Sequence, residues 1–345
     1  RISCCSAMKA IFFEKTGGVD VLQFGDYPTP ILKDDEVLIS VKACALNHLD
    51  LWIRREKDWA EPMPHIPGAD ISGIVEKING RSQLKVGDEV VINPSIPCRK
   101  CGRCQQEKDC ERVIILGAKT QGGCAEYVTV PLSQVYLKPT NLPFVEAAAF
   151  PLTFLTAWHM LVTRANLQKN ETVFIWGASG GLGVAGLQIA KYLGSHVIAA
   201  AGNEQKAQKL KELGADEVVL YKREDVLQKV KAFTKGKGVD VVLESVGKET
   251  WEKTLEMLGF HGRVVIAGTT SGDMTQQDIS EVYVKQHSIL GCRMGYTHEF
   301  EKILELMTQG KLKPIIDTVL PLHEAAKAQD KLEKGNFIGK IVLEI

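Results

Sequence analysis

Thr172-Val173-Phe174-Ile175-Trp176-Gly177-Ala178-Ser179-Gly180-Gly181-Leu182-Gly183 joins an apolar run to a cluster of small residues. It leads into a helical pattern with apolar residues at Leu182, Ala185, Ile189 and Leu193. A strand, a tight turn and a helix in that order let backbone amides approach an anion at the positive end of the helix. Against the pattern G-x-G-x-x-G the first place is Ala178, while Gly180 and Gly183 keep the other two. The stretch predicts a pyrophosphate cradle at Ala178, Ser179, Gly180, Gly181, Leu182 and Gly183, and its alternative is a flexible turn.

Downstream the alternation continues, with strands expected at 196–200, 217–220, 239–243 and 262–267 and helices at 204–213, 224–233 and 250–258. Repeated strand and helix units imply an α/β domain, a doubly wound parallel sheet of Rossmann type covered on both faces. Upstream, an Ala-rich stretch predicts a helix over 146–162, and residues 8–130 are short apolar or alternating runs broken by Gly and Pro. That texture predicts an irregular β-rich domain. After Gly295 the pattern is a helix over 299–308, a turn, a helix over 323–334 and a strand over 340–345, a set able to return to the first domain. The expected division is 8–145 plus 296–345 around an inserted domain of 146–295.

Length supports two cores, since 345 residues exceed the ~250–300 at which a single core stops growing. Lys and Arg total 42, as do Asp and Glu, so no nucleic-acid or anionic-membrane partner is expected and a small-molecule substrate is favoured. No window approaches the roughly 18 apolar residues of a membrane span, and the expected location is the cytoplasm. The strand-like pattern starts at Met8; the segment before it reads as an alternative start or a remnant, and Cys4 and Cys5 are given no role.

The strand before Asn203 ends in Ala199-Ala200-Ala201-Gly202, without the carboxylate that usually binds both ribose hydroxyls of NAD. Lys206 and Tyr221 then become partners for a 2′-phosphate, as cation and hydroxyl donor, with Asn203 also a cofactor-binding candidate at the strand's end, which favours NADP(H). A solvated helix-face lysine is the alternative for Lys206.

Cys98, Cys101, Cys104 and Cys110 offer four thiolates from one loop, the donor set of a closed, structural Zn²⁺ site, one per chain. Arg99, Lys100, Arg103 and Lys108 place positive charge around them. Free thiols under a loop are the other reading.

Together with Pro67-Gly68-Ala69-Asp70-Ile71-Ser72-Gly73 and Val86-Gly87-Asp88-Glu89-Val90, these motifs resemble the medium-chain dehydrogenase/reductase superfamily, in its branch from zinc alcohol dehydrogenases to quinone oxidoreductases. The resemblance runs from Met8 onward. It implies a GroES-like catalytic domain made of the N-terminal part and the C-terminal tail, a homodimer or homotetramer, and cofactor contacts at Val246 and Gly268, where the fourth and fifth strands end. The form Ala-Ser-Gly-Gly-Leu-Gly, with Lys206 and Tyr221, is similar to the NADPH-dependent reductases. Three departures stand out. Asn47 occupies the place of the first catalytic-zinc Cys, Gly68-Ala69-Asp70 replaces Gly-His-Glu, and Pro151-Leu152-Thr153-Phe154-Leu155-Thr156-Ala157 offers no third ligand. The cysteine lobe has five residues before its last Cys where the family usually has seven.

Without three ligands no Lewis acid lowers an alcohol's pKa, and hydride from NADPH is expected to reach a carbon activated by conjugation, in an enone or quinone. Asn47 and His48 are the candidates for the polar work, with Asp50 orienting His48 or a neighbouring amide and Thr153 touching the nicotinamide. The plainer readings are a surface His48 and an Asp50 that caps a helix. An unusual metal site of Cys44, His48 and His65 or Asp70 is a further alternative, as is Cys44 as a small buried hydrophobe; His159 reads as a core residue. At the level of function the alternatives are a zinc-dependent alcohol dehydrogenase and a non-catalytic NADPH-binding or sensing protein.

Overall fold

The computed structural model describes residues 7–56, 60–105 and 110–345; Cys4, Cys5 and Lys108 lie outside them. Two compact units result, one of the described residues up to Leu152 with Tyr296–Ile345, the other Thr153–Gly295.

The first unit opens with β1 (Ala7–Phe12) and β2 (Gln23–Pro28), an antiparallel pair, followed by β3 (Glu36–Ala45), α1 (His48–Arg55), β4 (Asp70–Asn79) and β5 (Glu89–Ile92). The short pair β6 (Ser95–Ile96) and β7 (Ile114–Ile115) flanks α2 (Gly102–Gln105) in the cysteine lobe. Then come β8 (Tyr127–Pro131), β9 (Val135–Leu137), α3 (Phe144–Ala148) and α4 (Pro151–Trp158). The helix expected over 146–162 is therefore interrupted. Pro151 has no N–H to continue the ladder, and beyond Trp158 the turns widen into a π-helical segment, His159–Arg164.

The second unit contains β10 (Thr172–Ile175), α5 (Gly181–Tyr192), β11 (His196–Ala201), α6 (Glu204–Glu212), β12 (Glu217–Leu220), α7 (Val226–Phe233), β13 (Val239–Glu244), α8 (Trp251–Glu256), β14 (Leu258–Ile266), α9 (Ile279–Val284) and β15 (Ser288–Gly291). Its strands form one parallel sheet in the order β12-β11-β10-β13-β14-β15, with the order reversing beside β10. Phe174, Ile198, Val219, Val242 and Val264 pack into its core. A bidentate fork from Arg263 to Glu171, at 2.8 and 2.7 Å, ties β14 to the turn before β10, while Arg263 Nε donates to Ala165 O.

Within the first unit the chain resumes at α10 (Thr297–Thr308), followed by β16 (Ile316–Pro321), α11 (Ala325–Lys334) and β17 (Lys340–Glu344). The turn expected between the helices holds an edge strand, β16, half-buried at Ile316, Thr318 and Leu320 and exposed at the residues between, so that no continuous buried run marks it. The sheet order is β16-β17-β3-β4-β5-β9, with β8 also on β3, over a core that includes Val37, Ile39, Ile71, Val90, Ile341 and Leu343. Val342 and Asp70 both pair with Ala45, so the ends of β17 and β4 flank the residues that follow β3.

Candidate active site and ligand sites

That convergence builds a buried polar cluster. Lys340 begins β17, Asp70 begins β4, and Asn47 lies two residues beyond β3 as the N-cap of α1. Lys340 Nζ donates to Asn47 Oδ1 at 2.6 Å and to Asp70 Oδ2 at 3.0 Å, and Asn47 Nδ2 donates to the same Asp70 oxygen at 2.9 Å. Asp70 Oδ1 accepts from the Leu152 N–H at 2.8 Å. The three side chains are 4, 0 and 6% exposed for Lys340, Asp70 and Asn47, so charge and counter-charge are satisfied inside the protein.

Asp50 serves the same cluster from below. Its Oδ2 accepts from the Asn47 backbone N–H at 2.7 Å and its Oδ1 from the Gly68 N–H at 3.1 Å. It orients backbone amides and caps α1. Burial raises its pKa to about 6, against the opposing pull of the Asn47 N–H, so it is ionised at neutral pH. His48 is a partly exposed residue at the start of α1, its ring beside that of Phe337 with centroids 6.5 Å apart. Desolvation by the protein around it, then the cations Lys340 and Arg55, lowers its pKa to about 4, which makes it a neutral imidazole at pH 7.

Cys44 is buried against Cys124, with sulfurs 3.8 Å apart, and the His65 ring nitrogens face the carbonyls of Gly117 at 2.8 Å and Pro62 at 3.2 Å. These residues do not gather with His48 or Asp70 as ion ligands. Among the described residues the one group of three or more His, Cys, Asp or Glu arranged for a single ion is Cys98, Cys101, Cys104 and Cys110. Their sulfurs all lie within 4.8 Å of one another, with Cys101 and Cys104 at 3.4 Å and Cys98 and Cys104 at 3.9 Å. A tetrahedron of Zn–S bonds of about 2.3 Å has edges of ~3.8 Å, so the donor set fits zinc. Backbone N–H groups point at the sulfurs, from Cys98 and Arg112 to Cys110 and from Cys104 to Cys101. The Cys104 N–H pulls the Cys101 pKa down to about 6.

In the second unit Gly180 caps the N-terminus of α5, a helix long enough for its amide dipoles to favour an anion. A Cβ on Gly183 would lie 2.4 Å from both Ala178 Cα and Gly177 O, so helix and turn approach as closely as backbone allows. Ala178 is buried, and a Cβ on Gly180 would meet Gly177 O in ordinary contact at 3.5 Å. The residues fit a pyrophosphate. Asn203 caps α6 by accepting from the Lys206 N–H at 2.9 Å, which leaves Lys206 in the first helical turn. The Tyr221 hydroxyl lies 3.2 Å from where a Gly202 Cβ would stand, and its ring meets Trp176 edge-on. Arg223, which the sequence reading did not single out, is exposed two residues beyond Tyr221 and pairs with Glu204 at 3.4 Å.

Val246 and Gly268 follow β13 and β14, and the loops that carry them are knitted together. Ser271 donates to Val246 O through both its N–H and its hydroxyl, and Thr270 N–H donates to Ser245 O. Beneath them the buried Glu244 carboxylate accepts from the N–H groups of Val246 and Gly247 and the hydroxyls of Thr250 and Thr254. Thr153 opens this unit with a buried hydroxyl that has no protein partner among the described residues, while His159 is buried in the π-helical segment.

Residues 33–140 match a family model described as an alcohol dehydrogenase GroES-like domain, and residues 181–309 one described as zinc-binding dehydrogenase. The human (Homo sapiens) quinone oxidoreductase is 30% identical over 97% of each chain. A 2-methylene-furan-3-one reductase of Solanum lycopersicum is 33% identical over 99% of this chain and 80% of its own. A crystal structure titled NAD-dependent alcohol dehydrogenase superposes with a TM-score of 0.94 at 42% identity, covering 98% of this chain and 100% of that one.

The chain belongs to the medium-chain dehydrogenase/reductase superfamily. It is an oxidoreductase with the GroES-like and Rossmann-type domains of that superfamily. No helix among the described residues is long and apolar enough to cross a membrane.

Proposed function

We propose that this medium-chain dehydrogenase/reductase is an NADPH-dependent reductase of conjugated carbonyl compounds and quinones that acts without a catalytic zinc and carries one structural zinc. The observation that supports it is the Lys340–Asn47–Asp70 cluster. A catalytic zinc needs three protein donors free to bind it; here Asn47 offers an amide, which is not one of the Cys, His, Asp or Glu donors, and the Asp70 carboxylate is already bonded to the Lys340 ammonium and the Asn47 amide. With no metal ligands to activate an alcohol, the substrate must bring its own electrophilic carbon.

When bound, NADPH supplies a hydride. Ala178 to Gly183 would hold its pyrophosphate, Lys206 and Tyr221 its 2′-phosphate, Val246 and Gly268 its ribose and nicotinamide, and the orphaned Thr153 hydroxyl its carboxamide region. Asn47 donates to the substrate oxygen, Asp50 holds the Asn47 main chain, and His48 lines the entrance as a neutral donor. Cys98, Cys101, Cys104 and Cys110 would hold the structural zinc, which would crosslink their loop. Assembly as a homodimer or homotetramer accompanies this reading.

Zinc content measured with NADPH oxidation tests it. One equivalent per chain with quinone or enone turnover is expected; two equivalents with turnover of a simple aldehyde would overturn it. A second reading, an NAD-dependent alcohol dehydrogenase, is favoured by the name of the 42% identical structure. Tighter binding of NADH than NADPH would support that alternative.

A further inference from the structure

We infer that Lys340 is a positioning residue that locks the Asn47 side-chain amide as a one-sided hydrogen-bond donor, so that the site selects a substrate oxygen that gains negative charge over one that must lose a proton. The inference rests on the reductase reading and specifies what its polar site recognises.

The orientation of a side-chain amide is decided by its neighbours. An ammonium group only donates, and an ionised carboxylate only accepts. Asn47 lies between one of each, with Lys340 Nζ 2.6 Å from Oδ1 and Asp70 Oδ2 2.9 Å from Nδ2. Turned over, the amide would face its carbonyl to the carboxylate and its NH₂ to the ammonium, losing both bonds in a buried place where unmade bonds are costly. The neighbours are held in turn: Asp70 by the Leu152 N–H and Lys340, and the Asn47 main chain by Asp50.

One amide hydrogen of Asn47 remains without a protein acceptor among the described residues. The amide oxygen is occupied by Lys340 and both Asp70 oxygens are engaged, so the cluster offers a donor and no base. When hydride forms the new C–H bond at the conjugated carbon, the C=C electron pair shifts toward the carbonyl carbon and the C=O pair moves onto oxygen. The substrate gains two electrons, NADPH is oxidised, and a proton from water completes the product. The negative oxygen accepts the fixed N–H more strongly than the neutral carbonyl did, which is the condition for lowering a barrier. The ammonium behind Oδ1 polarises the amide in the same sense. An alcohol substrate would present an O–H that this cluster cannot deprotonate.

Lys340→Met alone leaves Asp70 buried and unpaired, so the decisive variant is Lys340→Met/Asp70→Asn, which replaces the ion pair with neutral groups of similar shape. With NADPH and a turned-over quinone or enone, its kcat should fall about 100-fold, the scale of losing one oxyanion donor, while the NADPH dissociation constant and circular dichroism stay as in the wild type. Asn47→Asp, which keeps the shape but removes the N–H, should lose kcat as Asn47→Ala does. Lys340→Arg, which keeps the donation, should retain most of it. Wild-type kcat in the double variant or in Asn47→Asp would overturn the inference and leave the reductase reading standing. A wild-type chain that binds NADPH but turns over no quinone or enone would overturn both.

Discussion

Asp50 and His48 stand two residues apart on one short helix and contribute opposite pH dependences. Asp50 has its pKa raised to about 6, so the folded state holds its proton more tightly than the unfolded chain; that stabilisation is present below about pH 4 and lost as pH rises through 6. His48 has its pKa lowered to about 4, so its stabilisation is present above its ordinary 6.5 and lost as pH falls through 4. Removing the imidazole should expose the difference. Between pH 7 and pH 5 the wild type should lose more stability than His48→Gln in urea unfolding, by a small amount because the partly exposed residue is screened by solvent; equal losses would show that His48 titrates normally. Asn47 was legible as a candidate because its place in a motif departs from the expected Cys. Lys340 was not legible, because its partners lie 293 and 270 residues away and a lysine near a strand start reads as surface charge.

At the scale of elements, two glycines around the last turn separate conformational strain from steric exclusion. Gly335 ends α11 at φ 68° with open space at its Cβ position, and Gly335→Ala should cost about 1 kcal/mol, the price of a left-handed alanine. Gly339 has φ 83°, and a Cβ there would stand 2.1 Å from Ile315 O. Gly339→Ala should therefore destabilise the chain more than Gly335→Ala and also lower kcat, because it displaces the strand start that carries Lys340; equal unfolding midpoints would refute the distinction. In the other unit, Glu244→Ala removes the acceptor that holds the Val246-Gly247 turn. The NADPH dissociation constant should rise about tenfold or more, tenfold being the low end of the ~1.5–3 kcal/mol of a hydrogen bond to a charged group, and unchanged affinity would make Glu244 a packing residue. The strands and helices of the alternating region were readable because burial on both faces imposes continuous apolar runs. The edge strand β16 and the break at Pro151 were not, since one is half solvated and the other turns on a single missing donor.

At the scale of the molecule, the cysteine lobe and the glycine loop belong to different units, so their ligands should be separable. Removal of zinc by a chelator should expose the four lobe thiols to a thiol reagent and leave NADPH affinity within twofold, by the independence expected of separately folded cores. Loss of NADPH binding together with the metal would contradict that independence. The fold class was legible from spacing and period, whereas the polar cluster depends on contacts between distant segments that no local pattern records.

The strand β17 gives this architecture an order of assembly. β3 and β4 lie close in sequence and can pair early, but the flank of β3 at Ala43–Ala45 stays bare until β17 arrives. At ribosomal speeds of 5–20 residues per second, the gap from Asn47 to Lys340 corresponds to roughly 15–60 s of synthesis. For that interval the nascent chain holds Asp70 without its cation and a strand edge without its partner, and the Asn47 amide lacks one of the two neighbours that orient it. The buried cluster is completed in the same event that closes its sheet.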